Sequence, residues 1–453
     1  MMSTTGTRHV AAVVTIAILG LTPWHPAHGL FHPAATYAVG ADPTDVACAD
    51  LDGDGSADLV VVNESSNSVS VLLNNGNGTF QPAAAYGVGQ APQCVALGTL
   101  NADQHADLVV SNSLSDSISL LFNNGDGTFA AAIDYGVGTK PWDVATADLN
   151  GDGDVDVAAV NRESQTFSVM LNNGDGTLWH SGDYSAGGFQ TKPIWISAAN
   201  FDGDADVDLA VTKLYAFYGA REGYVETFLN DGTGSFTSSQ TFTIGLTAAT
   251  PVVEDLDGDD DIDIAVPGLI GGSFVAAVLT NDGSGTFSGP VSYPSGADGE
   301  AASGDFDLYD DCDLAISRTE GSATAVSVTF NDGGGAFGMP QMFVVGSDPR
   351  GLCADDLDNN GAPDVAVALW GADSVAVLLN TNGLVPPGDL GIRVDGAQIT
   401  LTWTAVPGAA SYKIYSSDAA YGGFMYLATT TQTTWSGTSA TTKAFYYVTA
   451  ASE

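Results

Sequence analysis

Basic residues are scarce in this chain: 11 Lys and Arg stand against 54 Asp and Glu in 453 residues, a formal charge of −43. Phosphate backbones are held by clustered Lys and Arg, so neither nucleic acid nor an anionic membrane surface is an expected partner. Histidine is nearly as sparse. His9, His25 and His28 fall in the first thirty residues, and His32, His105 and His180 show no metal-ligand spacing. No GxSxG elbow, HExxH helix or phosphate-cradling loop occurs. The only cysteines, Cys48, Cys94, Cys312 and Cys353, are scattered over different repeats. They read as buried free thiols, although an oxidising compartment would allow pairing. Beyond the N-terminus no apolar run is long enough to span a bilayer, and no segment has helical periodicity. Yet 44% of the chain is hydrophobic and only 14% charged, which is the composition of a folded protein and not of an acidic disordered tail.

The N-terminus carries Arg8 and His9, then the apolar run Val10 to Leu21, then small residues around Ala27 and Gly29. This is the pattern of an export signal. It assigns 1–29 to a signal peptide and predicts a secreted or cell-surface protein without a transmembrane helix.

What the chain has in abundance is repetition. DLDGDGSADLVVVN from Asp50 recurs as TLNADQHADLVVSN from Thr99, DLNGDGDVDVAAVN from Asp148 and NFDGDADVDLAVTK from Asn200, with further copies from Asp255, Asp305 and Asp356. A second signature, NNGNGTF from Asn74, returns at Asn123, Asn172, Asn230, Asn281 and Asn331, and is cut short at Asn380. Each unit reads as four strands, in the first copy Thr44 to Ala49, Leu59 to Asn63, Ser68 to Asn74 and Phe80 to Val88. The second strand is apolar at successive positions, which suits a sheet covered on both faces. The Asn/Asp-Gly turns supply the positive φ angles of tight hairpins.

The seventh copy ends after its third strand, while Phe31 to Val39 (FHPAATYAV) matches the fourth strand of the first copy (FQPAAAYGV). The fold class that follows is all-β: a seven-bladed β-propeller whose N-terminal strand completes the last blade non-covalently and hides its edges. An open solenoid would leave that strand without a purpose. The propeller is expected over 30–384 and a linker over 385–390. The region 391–453, poorer in Asp and Asn, contains ITLTWTAVPGAASYKIYSS and FYYVTA. These phrases resemble a fibronectin type III-like sandwich, with Trp403, Tyr412, Ile414 and Tyr446 as core or corner residues.

The acidic loops read as metal sites. Asp50, Asp52, Asp54 and Asp58 put oxygen donors at loop positions 1, 3, 5 and 9, and Ser56 at position 7 can lend its carbonyl. The pattern recurs as Asp148, Asn150, Asp152, Asp154 and Asp156; as Asn200, Asp202, Asp204, Asp206 and Asp208; as Asp255, Asp257, Asp259, Asp261 and Asp263; and as Asp356, Asp358, Asn360, Ala362 and Asp364. The sixth loop keeps Asp305, Asp307 and Asp313 but has Tyr309 at position 5, and reads as weak. The second has Thr99 at position 1, with Asn101, Asp103 and Asp107, and is expected to hold metal poorly or not at all. Hard oxygen ligands in a flexible loop without His or Cys favour Ca2+ over zinc, and magnesium demands a tighter octahedron. Such carboxylates also cap turns, but several dense clusters would repel strongly without a cation. About five or six structural Ca2+ ions are expected.

Units reading DLDGDGxxDLVVxN…SVSVLLNNGDGTF resemble bacterial FG-GAP/VCBS-type repeats, related to the integrin α-subunit propeller, over about Phe31 to Gly383. The resemblance implies calcium in the loops, an extracellular setting and use in adhesion or binding. The expectation is a monomeric binding module for an extracellular protein or glycan ligand, without catalysis. A carbohydrate-active enzyme or lectin-like propeller is the alternative, and a structural part of a cell-envelope assembly is a third. Departures from the repeat mark candidate recognition surfaces: the insertion LYAFYGAREGY from Leu214 to Tyr224, and Trp142 and Trp195 after Lys140-Pro141 and Lys192-Pro193. Each of these aromatics also suits core packing.

Overall fold

The computed structural model describes residues 30–451 except 189, 218–219, 319–323, 382–390, 396–397, 404–410, 418–424 and 439–444. The expected signal peptide and linker lie outside the described residues. Phe31–Asn380 forms one compact unit, a closed ring of seven four-stranded antiparallel sheets. Blade 1 consists of Pro43–Ala49, Asp58–Asn63, Ser68–Leu72 and Ala84–Gly87. Its fourth strand is shorter than the spacing predicts. Phe80 makes an isolated bridge to Asn74, and Pro82, which has no N–H to give the ladder, separates that bridge from the strand.

Blade 7 takes its first three strands from Pro349–Asp355, Asp364–Leu369 and Ser374–Leu378, and its fourth from the chain's start, Ala35–Ala38. Tyr37 pairs with Val375 and Ala35 with Val377. The ladder is extended by the His32 N–H to Leu379 O (2.8 Å) and by the Phe31–Asn380 bridge. The N-terminal strand therefore closes the ring without a covalent link.

The core consists of successive apolar layers between blades. Asp58–Asn63 is buried at all six positions, because its side chains alternate between two neighbouring blades: Leu59 and Val61 pack toward blade 7, Val60 and Val62 toward blade 2. Fourth-strand tyrosines and the phenylalanines of the glycine turns tie these layers at the rim. Tyr37 meets Phe80 edge-on at 5.3 Å, Tyr86 meets Phe129 at 5.5 Å and Tyr293 meets Phe337 at 5.9 Å. No α-helix occurs among the described residues, and no helix there is long and apolar enough to cross a membrane.

Beyond Thr381 a second unit contains two small sheets, one of Gly391–Asp395, Gln398–Thr402 and Thr434–Thr438, the other of Met425–Thr430, Ser411–Ser417 and Phe445–Ala451. Trp403, Tyr412 and Ile414 are buried, the first two edge-on at 5.2 Å. Nothing is described of the Tyr446 side chain.

Candidate metal centre

Each acidic loop joins the first strand of a blade to the second, and position 9 opens the second strand. There the carboxylate is buried in every blade: Asp58, Asp107, Asp156, Asp208, Asp263, Asp313 and Asp364 are at most 1% exposed. One oxygen of Asp58 accepts the Leu51 N–H (3.0 Å), and the other accepts the Asn74 N–H (2.7 Å). Position 9 thus joins loop to glycine turn. The Asn74 amide donates to Ala57 O in its own loop and to Leu357 O of blade 7 at 2.7 Å. The same inter-blade bond repeats from Asn123 to Leu51, Asn172 to Leu100, Asn230 to Leu149, Asn281 to Phe201, Asn331 to Leu256 and Asn380 to Phe306. Seven amides each reach the preceding blade, and the hydrogen bonds close on themselves as the sheets do.

Four loops bring carboxylate oxygens within 4.8 Å of one another: Asp50, Asp52 and Asp58; Asp255, Asp257 and Asp259; Asp356, Asp358 and Asp364; and Asp305, Asp307, Asp311 and Asp313. The sixth loop, with Tyr309 turned outward at 60% exposure, gathers the most. Asp311 at position 7 supplies its fourth carboxylate. The acidic residues at the same position in the third, fourth and fifth loops were the available sign of it, but spacing alone does not show which way the side chain turns. In those three loops it turns elsewhere. Asp154, Asp206 and Asp261 lie over the first glycine of the adjoining turn, where a Cβ on Gly174, Gly232 or Gly283 would fall 2.5–2.6 Å from a carboxylate oxygen. Those glycines, at φ +74° to +77°, supply both the turn and the room. His105 lies over Gly125 in the same way in the second loop.

Position 1 caps the loop, with the Asp50 oxygens accepting Gly53 and Gly55 N–H groups at 2.7 and 2.9 Å and Asp148 doing the same for Gly151 and Gly153. In the third loop Asn150 donates to Asp152 at 2.9 Å, and in the fourth the Asn200 oxygen accepts the Gly203 N–H. Asp54, Asp204 and Asn360 at position 5 accept the N–H of position 7, namely Ser56, Asp206 and Ala362.

Two features fit a bound cation. The Oδ1 atoms of Asp257, Asp311 and Asp358 are buried without a hydrogen-bond donor, a costly state for a carboxylate unless a cation faces it. Burial, aided by neighbouring carboxylates, also pushes carboxyls up: Asp58, Asp156, Asp208 and Asp263 to about 6, Asp307 to about 7, and Asp313 and Asp364 to about 8. A divalent ion would oppose both causes. Between the fifth and sixth loops opens a cleft of about 510 Å³, lined by Asp255, Asp305, Asp310 and Asp311 among others.

Four stretches, 50–99, 100–159, 148–211 and 214–266, match the family described as FG-GAP-like repeat. The propeller is built of FG-GAP-like repeats. No curated protein matches the chain. Among solved structures, this FG-GAP propeller chain is similar to a functionally unknown protein from Desulfotomaculum acetoxidans, at 17% identity and TM-score 0.47 over 73% of this chain and 90% of that one. It is also similar to the V. cholerae biofilm matrix protein Bap1, at 14% identity and TM-score 0.38 over 79% of this chain and 90% of that one.

The other face differs in charge. All seven Lys and Arg of the ring, Lys140, Arg162, Lys192, Lys213, Arg221, Arg318 and Arg350, lie in the half away from the acidic loops, at blade connections or the ends of strands leading to them. Three stack on aromatic rings: Arg162 on Trp142 (4.5 Å), Arg318 on Phe274 (4.9 Å) and Arg350 on Trp370 (5.1 Å). The insertion of the fourth unit extends the hairpin of Asp208–Phe217 and Ala220–Asn230 on this side, with Tyr215 opposite Glu222 and Lys213 opposite Tyr224. Lys213 is buried in an ion pair with Glu226 at 2.5 Å. At the same end of the central channel, Asp45 accepts the Val95 N–H of blade 2 (2.9 Å), and Asp143 accepts the Ile196 N–H of blade 4 (2.7 Å). Burial pushes Asp45 to about 6 and Asp143 to about 7. Burial and these two charges push Glu300 well above the carboxylate range.

Proposed function

We propose that this chain is an exported, calcium-stapled propeller that works as an adhesion or ligand-binding module for an extracellular protein or glycan and performs no catalysis. The observation that carries this reading is the division of the ring into two faces. One is committed to repeated oxygen-donor loops. The other carries every basic side chain of the propeller, the extended fourth-blade hairpin and half-buried aromatics. The face that departs furthest from its repeat is where recognition is expected.

Calcium would be held by Asp50, Asp52 and Asp58, and by the corresponding donors of the other loops, with Asp311 added in the sixth. Bound there, it supplies charge compensation and a bridge between the first two strands of a blade, stabilising the native ring by mass action. The ion has no chemical step to perform in this reading. The second unit would serve as a fibronectin type III-like spacer or attachment point.

The test is binding of the calcium-loaded protein to panels of glycans and extracellular-matrix proteins, beside a variant carrying Tyr215→Ala and Tyr224→Ala. Retained ligand that is lost in the variant supports the reading; ligand retained equally by both removes that hairpin from it. An enzyme reading draws on Asp45, Asp143 and Glu300, since a raised carboxyl is what a general acid needs. Polysaccharide turnover that Glu300→Gln abolishes would replace the binding reading.

A further inference from the structure

Cys48 and Cys353 meet at the seam where the ring closes. Their strands, Pro43–Ala49 of blade 1 and Pro349–Asp355 of blade 7, both run along the channel wall toward an acidic loop, and they are in close contact: a Cβ on Gly351 would lie 2.5 Å from the Asp45 Cα. Successive side chains of a strand point to opposite faces. Cys48 shares its face with Val46, in the core between blades 1 and 7, whereas Ala47 and Ala49 pack toward blade 2. Cys353 packs in that same core between blades 1 and 7. The parity explains it: Cys48 stands two residues before loop position 1, and Cys353 three before its own. One therefore faces back around the ring, the other forward, into one interface. Cys94 belongs to the layer between blades 2 and 3, and Cys312 to that between blades 5 and 6, so neither has a second thiol. All four are reduced in this structure.

We propose that Cys48 and Cys353 form a disulfide that fastens blade 1 to blade 7 across a seam otherwise closed by strand pairing, packing and hydrogen bonds such as that from Asn74 to Leu357 O. Two S–H bonds break and one S–S bond forms. Two electrons and two protons pass to a small disulfide such as oxidised glutathione, which leaves as two thiols. Burial and the neighbouring Cys48 thiol push the Cys353 thiol well above its ordinary range. Thiolate is the attacking species, so exchange is slow once the interface has closed, and the bond forms while the ring is assembling. In the cell this proposal rests on the export reading, which supplies oxidising surroundings, but the pairing itself can be tested without export.

The full chain carrying Cys94→Ser and Cys312→Ser is made in a reducing cytoplasm and refolded in a glutathione redox buffer. The expected product has an intact mass lower by about 2 Da, no thiol that titrates in denaturant, and a reducible peptide joining the two cysteines. It should also melt higher, by about 5 °C or more, than the same protein with Cys48→Ser added, because the bond closes a very long loop. Two titratable thiols, or glutathione adducts alone, in refolded protein of native circular dichroism would overturn the proposal. A bond that forms in vitro while the protein in its own host stays reduced would uphold the pairing and count against export.

Discussion

Two asparagines adjacent in the chain allow a direct test of the inter-blade hydrogen bonds. Asn172 is 3% exposed. Its amide donates to Leu100 O of blade 2 at 2.7 Å and to Val155 O at 2.9 Å, and its oxygen accepts the Gly174 and Gly176 N–H groups at 3.1 Å. Asn173 is exposed and bonds only within its own turn, to Thr177 at 3.0 Å. Asn172→Ala leaves two carbonyls in or near the interface without their donor. At about 1 kcal/mol for each bond lost, and up to about 3 for a buried group left unsatisfied, the total comes to roughly 3 kcal/mol. Asn173→Ala should cost less than about 1 kcal/mol. The assay is urea denaturation in saturating calcium, comparing midpoints at unchanged slope and reading the first transition if the ring unfolds in steps. Equal shifts for the two variants would refute the view that these amides hold blade to blade. Asn172→Asp should be at least as damaging as alanine, since it aims a carboxylate at two carbonyl oxygens.

Calcium should raise the melting temperature strongly over chelator, with magnesium less effective, and elemental analysis should count about five or six ions. Asp311→Ala should remove one ion, and Asp126→Ala, in an exposed turn, none. Without calcium, stability should depend on pH in a definite direction. Asp58, Asp156, Asp208, Asp263, Asp313 and Asp364 are raised from an ordinary 3.8 to about 6 to 8, so the folded state holds protons that the unfolded state has released. That stabilising contribution is complete below the unfolded value and is lost as pH rises through 6 to 8. The melting temperature in chelator should therefore fall between pH 5 and pH 8, and calcium, which binds the deprotonated carboxylates, should flatten or reverse the slope. A melting temperature in chelator that climbs over this range would contradict the burial argument. Removing residues 31–39 should expose the third strand of blade 7 and the apolar layer under Tyr37, giving concentration-dependent aggregation in light scattering. A monomer of unchanged stability would show that the strand is dispensable.

Much of this architecture is legible locally. The four-strand unit follows from apolar runs separated by Asp and Asn-Gly turns, and the missing fourth strand of the seventh copy is supplied by Phe31 to Val39. The oxygen-donor set of the loops is visible as well, because donor spacing is a property of a few consecutive residues. Side-chain direction is less accessible. Tyr309 makes the sixth loop look poor, yet Asp311 turns inward and makes it the densest cluster, while Asp154 at the same loop position turns out over Gly174.

By itself the sequence determined the repeat, the number of blades, the strand that closes them and the chemistry of the loops, since each depends on short-range periodicity or on counting copies. Only the tertiary structure decided which residues meet between blades. Asn74 reaches Leu357, Phe31 meets Phe306 at 6.0 Å, and Cys48 shares a core with Cys353. These partners are far apart in the chain and belong to different repeats. What joins them is closure of the ring, which brings the last blade against the first, and the alternation of side chains along each strand, which selects the neighbour that each one faces.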